Sequence, residues 1–503
     1  MASLVDAILQ SFHSNYEKIA ISHHSRAVTY KELHAGSLAV CSYLKSKGLN
    51  KGDRVALYAE NSIEYVIVYY GVLIAGGVVV ALNTAAKAND LGNWIRHSGS
   101  SWLFAEGSNK EMDSLLTMLD AKMKYVMIGG HEFHQTDVVE CFEKVLAAPV
   151  NKSLPVVNGS DTATIIYTSG TTGQPKGVTL THENLMSNMT SILDYMPLIK
   201  HDKCLCVLPF YYSYGNSVLH THMMVGATLV LENSFVYPHA ILKKMQDDKI
   251  TSFSGVPSTY AILLRRTSLS KFDLSSLRYM TQAGGAMMTS YIEEIRKMLP
   301  EVEFIVMYGQ TEATARLTYL PFHQLDKRLA SAGKAIPGVT LEIRDALGNK
   351  LPEGKVGEVY ASGTNIMKGY WRDLELTSSV LVDGWLKTGD LAYRDKDDYL
   401  YIVGRESEMI KSGAHRISPL EIEEVIMQCE GVEEVAVIGK ADEILGQIIK
   451  AFVVLKPDSK IEKRLIQQHC KKNLAIFKLP KLIEFISVLP RTPSGKIKRF
   501  ELQ

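Results

Sequence analysis

Cysteine is scarce in this sequence and charge imbalance is nearly absent: 503 residues hold six cysteines and a formal net charge of +1. Cys41, Cys141, Cys204, Cys206, Cys429 and Cys470 lack metal-ligand spacing and are too few for a disulfide framework. A reducing, cytoplasmic setting is expected. Cys204 and Cys206 share one face of an alternating run and read as core residues. With Lys and Arg spread along the chain, no basic face is available for nucleic acid or an anionic membrane. Low-complexity tracts and charge blocks are also missing, and 46% hydrophobic with 22% charged residues supports packed cores rather than disorder. The expected partners are small molecules or another protein.

No basic region leads from Met1-Ala-Ser-Leu-Val-Asp6 into a long apolar stretch, so no secretory signal is expected. Tyr65 to Leu82 is uncharged and long enough to span a bilayer. Gly76-Gly77 divides it, however, into a helix opened by Asn61 and Ser62 and a Val78–Leu82 strand. Both suit a buried α/β layer, and no membrane span is expected.

A chain this long exceeds one compact core. Apolar runs of strand length alternate with amphipathic stretches of helix length, which predicts an α/β fold of parallel-rich sheets layered with helices. Strand-like Thr162–Tyr167, Ile250–Ser254, Leu277–Gln282 and Glu303–Tyr308 each run into a polar loop. Ligands gather at the carboxyl ends of parallel strands, so these loops predict one site. Shorter alternating segments from Gly333 to Tyr370, with turns at Ala346–Asn349 and Pro352–Gly354, predict a β-rich subdomain. After Gly404-Arg405 come a helix-forming Glu421–Cys429, strands Val435–Ile438 and Ile449–Leu455, and a basic helix. These predict a small α+β domain over 405–503, behind a large domain over 1–404.

The most informative stretch is Tyr167-Thr-Ser-Gly-Thr-Thr-Gly-Gln-Pro-Lys-Gly177. Glycines bring backbone amides close to an anion, hydroxyls add donors, and Lys176 supplies a mobile positive charge. The composition suits polyphosphate. Gly177 follows Lys176 where a Walker loop needs Ser or Thr, which argues against P-loop kinases and GTPases.

With this loop, the chain resembles the adenylate-forming superfamily of acyl- and aryl-CoA synthetases, peptide-synthetase adenylation domains and luciferases. The resemblance spans nearly the whole length. It runs through Tyr30–Leu33, Gly52–Ala56, Gly255–Ser258, Tyr308-Gly-Gln-Thr-Glu312, Leu386–Asp390, Gly404-Arg405 and Pro493-Ser-Gly-Lys496. It implies an N-terminal domain over 1–404 that binds ATP and a carboxylic acid, and a small mobile domain over 405–503. The carboxylate would attack the α-phosphorus of ATP and expel pyrophosphate, a step needing charge neutralisation and in-line positioning.

By resemblance, Thr168, Ser169, Gly170, Thr171, Thr172, Gly173 and Lys176 hold the outgoing phosphates, and Thr311 binds the α-phosphate. Glu312 coordinates Mg²⁺, a hard cation that favours carboxylate and phosphate oxygens. Tyr308 and Gly284 border the nucleotide, with Tyr308 against adenine. Asp390 accepts from the ribose hydroxyls, and Arg405 reaches the ribose or phosphate. Lys496 is the implied catalytic residue, bridging carboxylate and α-phosphate oxygens, with Thr311, Glu312 and Lys176 as the other catalytic candidates. The small domain then rotates near Gly404–Glu408 to open a pantetheine channel. Ser407 stands at the pivot where many relatives have Asp; a hinge needs tolerant dihedrals rather than a particular charge. Gly413 and Ala414 line the implied thiol channel, with Ala414 replacing a frequent glycine, so CoA and a phosphopantetheinyl carrier protein both stand as acceptors.

The implied acyl pocket includes Tyr212, Ser213, Gly284 and Gly285. Many acyl- and aryl-CoA ligases have His where Tyr212 falls, and amino-acid-activating relatives have Asp where Ser213 falls. A buried α-ammonium needs an anionic partner. Ser213 therefore favours a fatty or aryl acid, with Phe210, Tyr211, Tyr212 and Tyr214 as pocket walls or core. His220 and His222 face different directions on a helix and lack ligand spacing. Two other readings stand: a stand-alone amino-acid adenylation enzyme loading a separate carrier protein, and a non-catalytic nucleotide-binding member of the fold. Because Gln503 closely follows Lys496, the acceptor is expected to come from outside, and Phe500–Gln503 is no peroxisomal address.

Overall fold

The computed structural model describes residues 3–120, 122–129, 139–151, 153–168, 176–413, 415–443, 445–492 and 496–502. Two large, parallel-rich sheets carry the first three hundred or so residues. In the nine-stranded sheet, Ile19–His23, Thr228–Leu231, Lys203–Cys206, Ser252–Gly255, Tyr279–Gln282 and Glu303–Tyr308 run parallel as neighbours. In the eight-stranded sheet the parallel set is Thr162–Thr168, Val78–Ala81, Arg54–Tyr58, Trp102–Glu106, Lys124–Ile128 and Val139–Cys141.

Between the sheets lies a helix that is apolar on every side. Ile63–Ile74 is capped by Ser62, whose hydroxyl accepts from the Tyr65 amide, and every residue but Glu64 is buried. A helix hydrophobic all round belongs in a core. Its Tyr65 and Tyr69 are fully buried, as is Phe210 against Tyr65, and Leu73→Ala there would cost about 2–5 kcal/mol. Val78–Ala81 follows as a buried strand, so Tyr65–Leu82 is core and not a bilayer span. Among the described residues no helix is long and apolar enough to cross a membrane. Cys204 and Cys206 are both buried on their strand, and burial pushes both thiols up, Cys206 to about 12.

The β-rich stretch forms a five-stranded antiparallel sheet of Val339–Arg344, Gly357–Gly363, Trp385–Arg394, Leu381–Val382 and Leu400–Arg405. Beyond Arg405, the long antiparallel pair Val432–Asp442 and Gly446–Leu455 centres a second five-stranded sheet, packed against helices Pro419–Met427 and Lys463–Asn473.

The four strands expected to feed one site divide between sheets. Ser252–Gly255, Tyr279–Gln282 and Glu303–Tyr308 are adjacent in one, whereas Thr162–Thr168 lies in the other and turns back through Lys176–Thr181, with Thr168 paired to Lys176. The site is therefore framed by two sheets rather than by one edge.

Candidate functional site

The strand Glu303–Tyr308 delivers its side chains to the cleft through a tight reversal. A Cβ on Gly309 would lie 2.2 Å from the Ala315 carbonyl oxygen, so only glycine permits the turn. The following 3-10 turn, Thr311–Ala313, sets the α-phosphate candidate Thr311 and the Mg²⁺ candidate Glu312 side by side. Thr311 Oγ1 lies 3.2 Å from Ser213 Oγ at the start of helix Ser213–Val225. Glu312 Oε1 accepts from the Tyr370 hydroxyl at 2.9 Å. Burial, followed by the Glu312 charge, pushes the Tyr370 phenol up, so it remains a neutral donor.

Asp390 faces this turn from the antiparallel sheet. It sits directly opposite Arg405 in register and is 5% exposed. Its Oδ2 accepts from the Tyr308 hydroxyl at 2.7 Å and its Oδ1 from Arg405 Nε at 3.0 Å. Two donors thus fix the plane of the carboxylate while leaving lone pairs for further donors. Tyr308 is held by its hydroxyl as well as by packing, and burial and then Asp390 push its phenol well up.

Lys496 comes from the far end of the chain. Backbone contacts to Thr492 hold it: its amide donates to Thr492 Oγ1 at 3.1 Å, the Thr492 amide donates to the Lys496 carbonyl at 2.7 Å, and Arg491 bridges Ile497. Arg499 locks this segment down through a two-pronged ion pair with buried Glu423. Lys496 is exposed, and neighbouring groups still partly desolvate its ammonium. Desolvation and then Arg405 pull its ammonium below its ordinary value, while Asp390, Glu312 and Glu408 pull the other way. Thr311, Glu312, Tyr308, Asp390, Arg405 and Lys496 therefore converge on one cleft from three separate parts of the chain.

Lys176 begins its strand opposite Thr168. Ser169, Gly170, Thr171, Thr172 and Gly173 lie outside the described residues, as do Ala414 and Pro493–Gly495. Gly284 has φ +89°, a left-handed conformation that lets the loop after Tyr279–Gln282 turn, and Gln282 Nε2 donates to the Gly285 carbonyl at 2.7 Å.

The aromatic run divides. Phe210 and Tyr211 are buried in the core, Tyr214 donates to the Thr281 carbonyl, and half-buried Tyr212 accepts from Asn83 Nδ2 at 3.1 Å. His220 and His222 are buried hydrogen-bonded core residues: His220 Nδ1 meets the Tyr70 hydroxyl at 2.9 Å and His222 Nδ1 the Val218 carbonyl at 2.8 Å. Among the described residues no cluster of three metal-ligating side chains occurs. At the pivot, Ser407 lies in the 3-10 turn Glu406–Glu408. Gly413 lines a cavity of about 560 Å³ with His415 and Phe477, whose rings stack at 4.0 Å.

Sequence reasoning missed Tyr370, the donor to Glu312, because a tyrosine in the short strand Gly369–Tyr370 carries no local signal. It also missed Arg316, Glu423 and Arg499, which matter through burial.

Comparison with known proteins identifies the family. Residues 10–371 match the AMP-binding enzyme family and residues 421–496 the AMP-binding enzyme C-terminal domain. A long-chain-fatty-acid–CoA ligase of Bacillus subtilis is 31% identical over 97% of this chain and 91% of its own length. A feruloyl-CoA synthase of an Amycolatopsis species is 33% identical over 96% of this chain and 95% of its own. The crystal structure of the anthranilate CoA ligase AuaEII with anthranoyl-AMP superposes with a TM-score of 0.92 at 27% identity, covering 100% of this chain and 96% of that one. The chain belongs to the AMP-binding enzyme family, within the adenylate-forming superfamily.

Proposed function

We propose that this enzyme activates a fatty or aryl acid with ATP and passes the acyl group to the thiol of CoA. In the first step a carboxylate oxygen bonds to the α-phosphorus, the bond from that phosphorus to the β-phosphate bridging oxygen breaks, and pyrophosphate leaves. In the second step the thiol, losing its proton, bonds to the acyl carbon and AMP leaves. The observation that carries this reading is Lys496: a residue from the C-terminal segment lies in the same electrostatic field as Glu312, Asp390 and Arg405.

Each side chain has a part that follows from its chemistry. Lys496 neutralises the repulsion between carboxylate and α-phosphate, a role for a compact, mobile charge. Thr311, already set by Ser213, donates to an α-phosphate oxygen. Asp390 accepts from ribose hydroxyls with its remaining lone pairs, and Lys176 with the residues after Thr168 meets the leaving phosphates. Glu312, a lone carboxylate oriented by Tyr370, fits the usual Mg²⁺ arrangement of one or two carboxylates completed by phosphate oxygens. That ion would supply neutralising charge to the phosphates.

The unit beyond Gly404-Arg405 turns as a small domain between the steps, exchanging Lys496 for the Gly413 and Ala414 face. The enzyme works in the cytoplasm, where its free cysteines, exposed Cys141 among them, stay reduced. The test is an acid panel supplied with ATP and CoA, read by mass spectrometry for acyl-CoA and by pyrophosphate release. Acid-dependent pyrophosphate and an acyl-CoA product are expected; ATP turnover with no thioester would contradict the second step.

A further inference from the structure

Arg316 is a buried cation. It is 3% exposed, and among the described residues no carboxylate lies within ion-pair distance of it. Its Nε donates to Met307 Sδ at 3.2 Å, its Nη1 to the Ala315 carbonyl at 3.4 Å, the Tyr195 hydroxyl is a further neutral hydrogen-bond neighbour, and its plane lies over the Tyr214 ring at 4.2 Å. A guanidinium has five donors, and a thioether is a weak acceptor. Taking such a charge out of water costs several kcal/mol unless an anion and good hydrogen bonds offset it. A Met or Leu of similar size would pack here at far lower cost.

The environment states what is missing. Arg316 faces a cavity of about 20 Å³, room for one small polar group, between helices His182–Tyr195 and Ser213–Val225 and the sheet behind them. Ser217, Thr221, Ser254 and Thr281 contribute hydroxyls to its wall, and no acidic side chain does. His222, also in the wall, is neutral at physiological pH, because burial brings it down to about 4. Among the described residues, Arg316 is thus the one charge in the lining.

The cavity is lined by elements that also carry the candidate acyl-site residues. Ser217 and Thr221 follow Ser213 at one and two turns of the same helix, about 6 and 12 Å farther along its axis. Thr281 lies on the strand that leads to Gly284, and Arg316 follows the turn holding Thr311 and Glu312. The elements that carry the candidate acyl-site residues thus also contribute to the wall around Arg316.

We propose that Arg316 receives a second carboxylate, at the far end of the acid, so that the substrate is a fatty or aryl acid with an anionic group remote from the carboxylate that is adenylated. This rests on the adenylation reading above. A carboxylate matches the guanidinium fork with two parallel hydrogen bonds. The flexible side chains of Met196 and Met307, both in the wall, give way as it enters.

Matched acids test it: octanoate against octanedioate, and 3-phenylpropanoate against its para-carboxylated analogue, with the unaltered enzyme, Arg316→Met and Arg316→Lys. Pyrophosphate release gives kcat/KM, and thermal melting with and without acid gives binding. The unaltered enzyme should prefer the second-carboxylate acid by at least about a hundredfold, since a site built to pair a polar group rejects analogues lacking it. Arg316→Met should erase that preference and melt higher than the unaltered enzyme in the absence of acid, as an uncompensated charge has been removed. Arg316→Lys should retain part of the preference. A preference for the monocarboxylates, or a ratio unchanged by Arg316→Met, overturns the proposal. If no acid releases pyrophosphate, the adenylation reading fails. The Arg316 site then stands on a melting shift with the second-carboxylate acids that Arg316→Met abolishes, and falls without that shift.

Discussion

Replacing Lys496 by alanine separates the two half-reactions. Its ammonium lies in the field of Glu312, Asp390 and Arg405, where the attacking carboxylate and the α-phosphate must meet. Two unit charges about 4 Å apart interact by about 4 kcal/mol at the effective dielectric of a partly solvated protein site. Losing that neutralisation slows adenylation by about a thousandfold. The backbone contacts survive, because Thr492 holds the Lys496 amide and carbonyl rather than its side chain. ATP–pyrophosphate exchange measures the first step, and CoA thioester formation from chemically prepared acyl-adenylate measures the second. Only the first should collapse; equal losses in both, or less than a tenfold loss in exchange, would refute the role. Lys496 must also be protonated to act. Its ammonium is pulled below the ordinary 10.5 by desolvation and Arg405, so exchange should fall as pH rises through that lowered value, earlier than for an unperturbed lysine.

Three further outcomes follow from the contacts. Asp390→Ala strands the Tyr308 hydroxyl and frees Arg405; about 3 kcal/mol should be lost from kcat/KM for ATP, with a smaller effect on saturation by the acid. Arg499→Ala leaves Glu423, whose side chain is 2% exposed, as an uncompensated buried charge. A loss of about 3–5 kcal/mol in urea unfolding is expected, partly recovered by adding Glu423→Gln. Finally, burial lowers His220 to about 3 and His182 and His222 to about 4. The unfolded chain protonates these groups near 6.5 and so binds more protons than the folded one between pH 6.5 and about 4. Stability should therefore fall on acidification across that window, by about 2–3 kcal/mol per histidine at pH 4.5. His220→Gln should flatten the pH dependence seen in denaturant titrations, and an unchanged slope would contradict the assignment.

Local pattern made much of the fold legible. Glu303–Tyr308 appears as a strand with the bounds its apolar alternation suggests, whereas Ile250–Ser254 shifts to Ser252–Gly255 and Glu421–Cys429 to Pro419–Met427. Element ends depend on caps and neighbours that periodicity does not carry. Alternation also says nothing about which sheet a strand joins, which is why Thr162–Thr168 sits apart from the other three loop-bearing strands. The cleft residues were visible through the dense polar motifs around Thr311, Asp390 and Lys496. Their mutual contacts were not, since Tyr308 and Asp390 meet across 82 positions. Arg316 was invisible for a different reason: in Ala315-Arg-Leu317 an arginine reads as a solvated residue, and only tertiary packing buries it. Phe210 and Tyr211 show the reverse, aromatic candidates for the pocket that fill the core.

The most direct test of adenylate formation is ATP–pyrophosphate exchange with radiolabelled pyrophosphate, without any thiol, across monocarboxylic, dicarboxylic, aryl and amino acids. The cleft of Thr311, Glu312, Asp390 and Lys496 predicts label entering ATP only when a suitable acid is present. Tight ATP binding with no exchange for any acid would contradict it, and would identify a nucleotide-binding protein that keeps the fold without the chemistry.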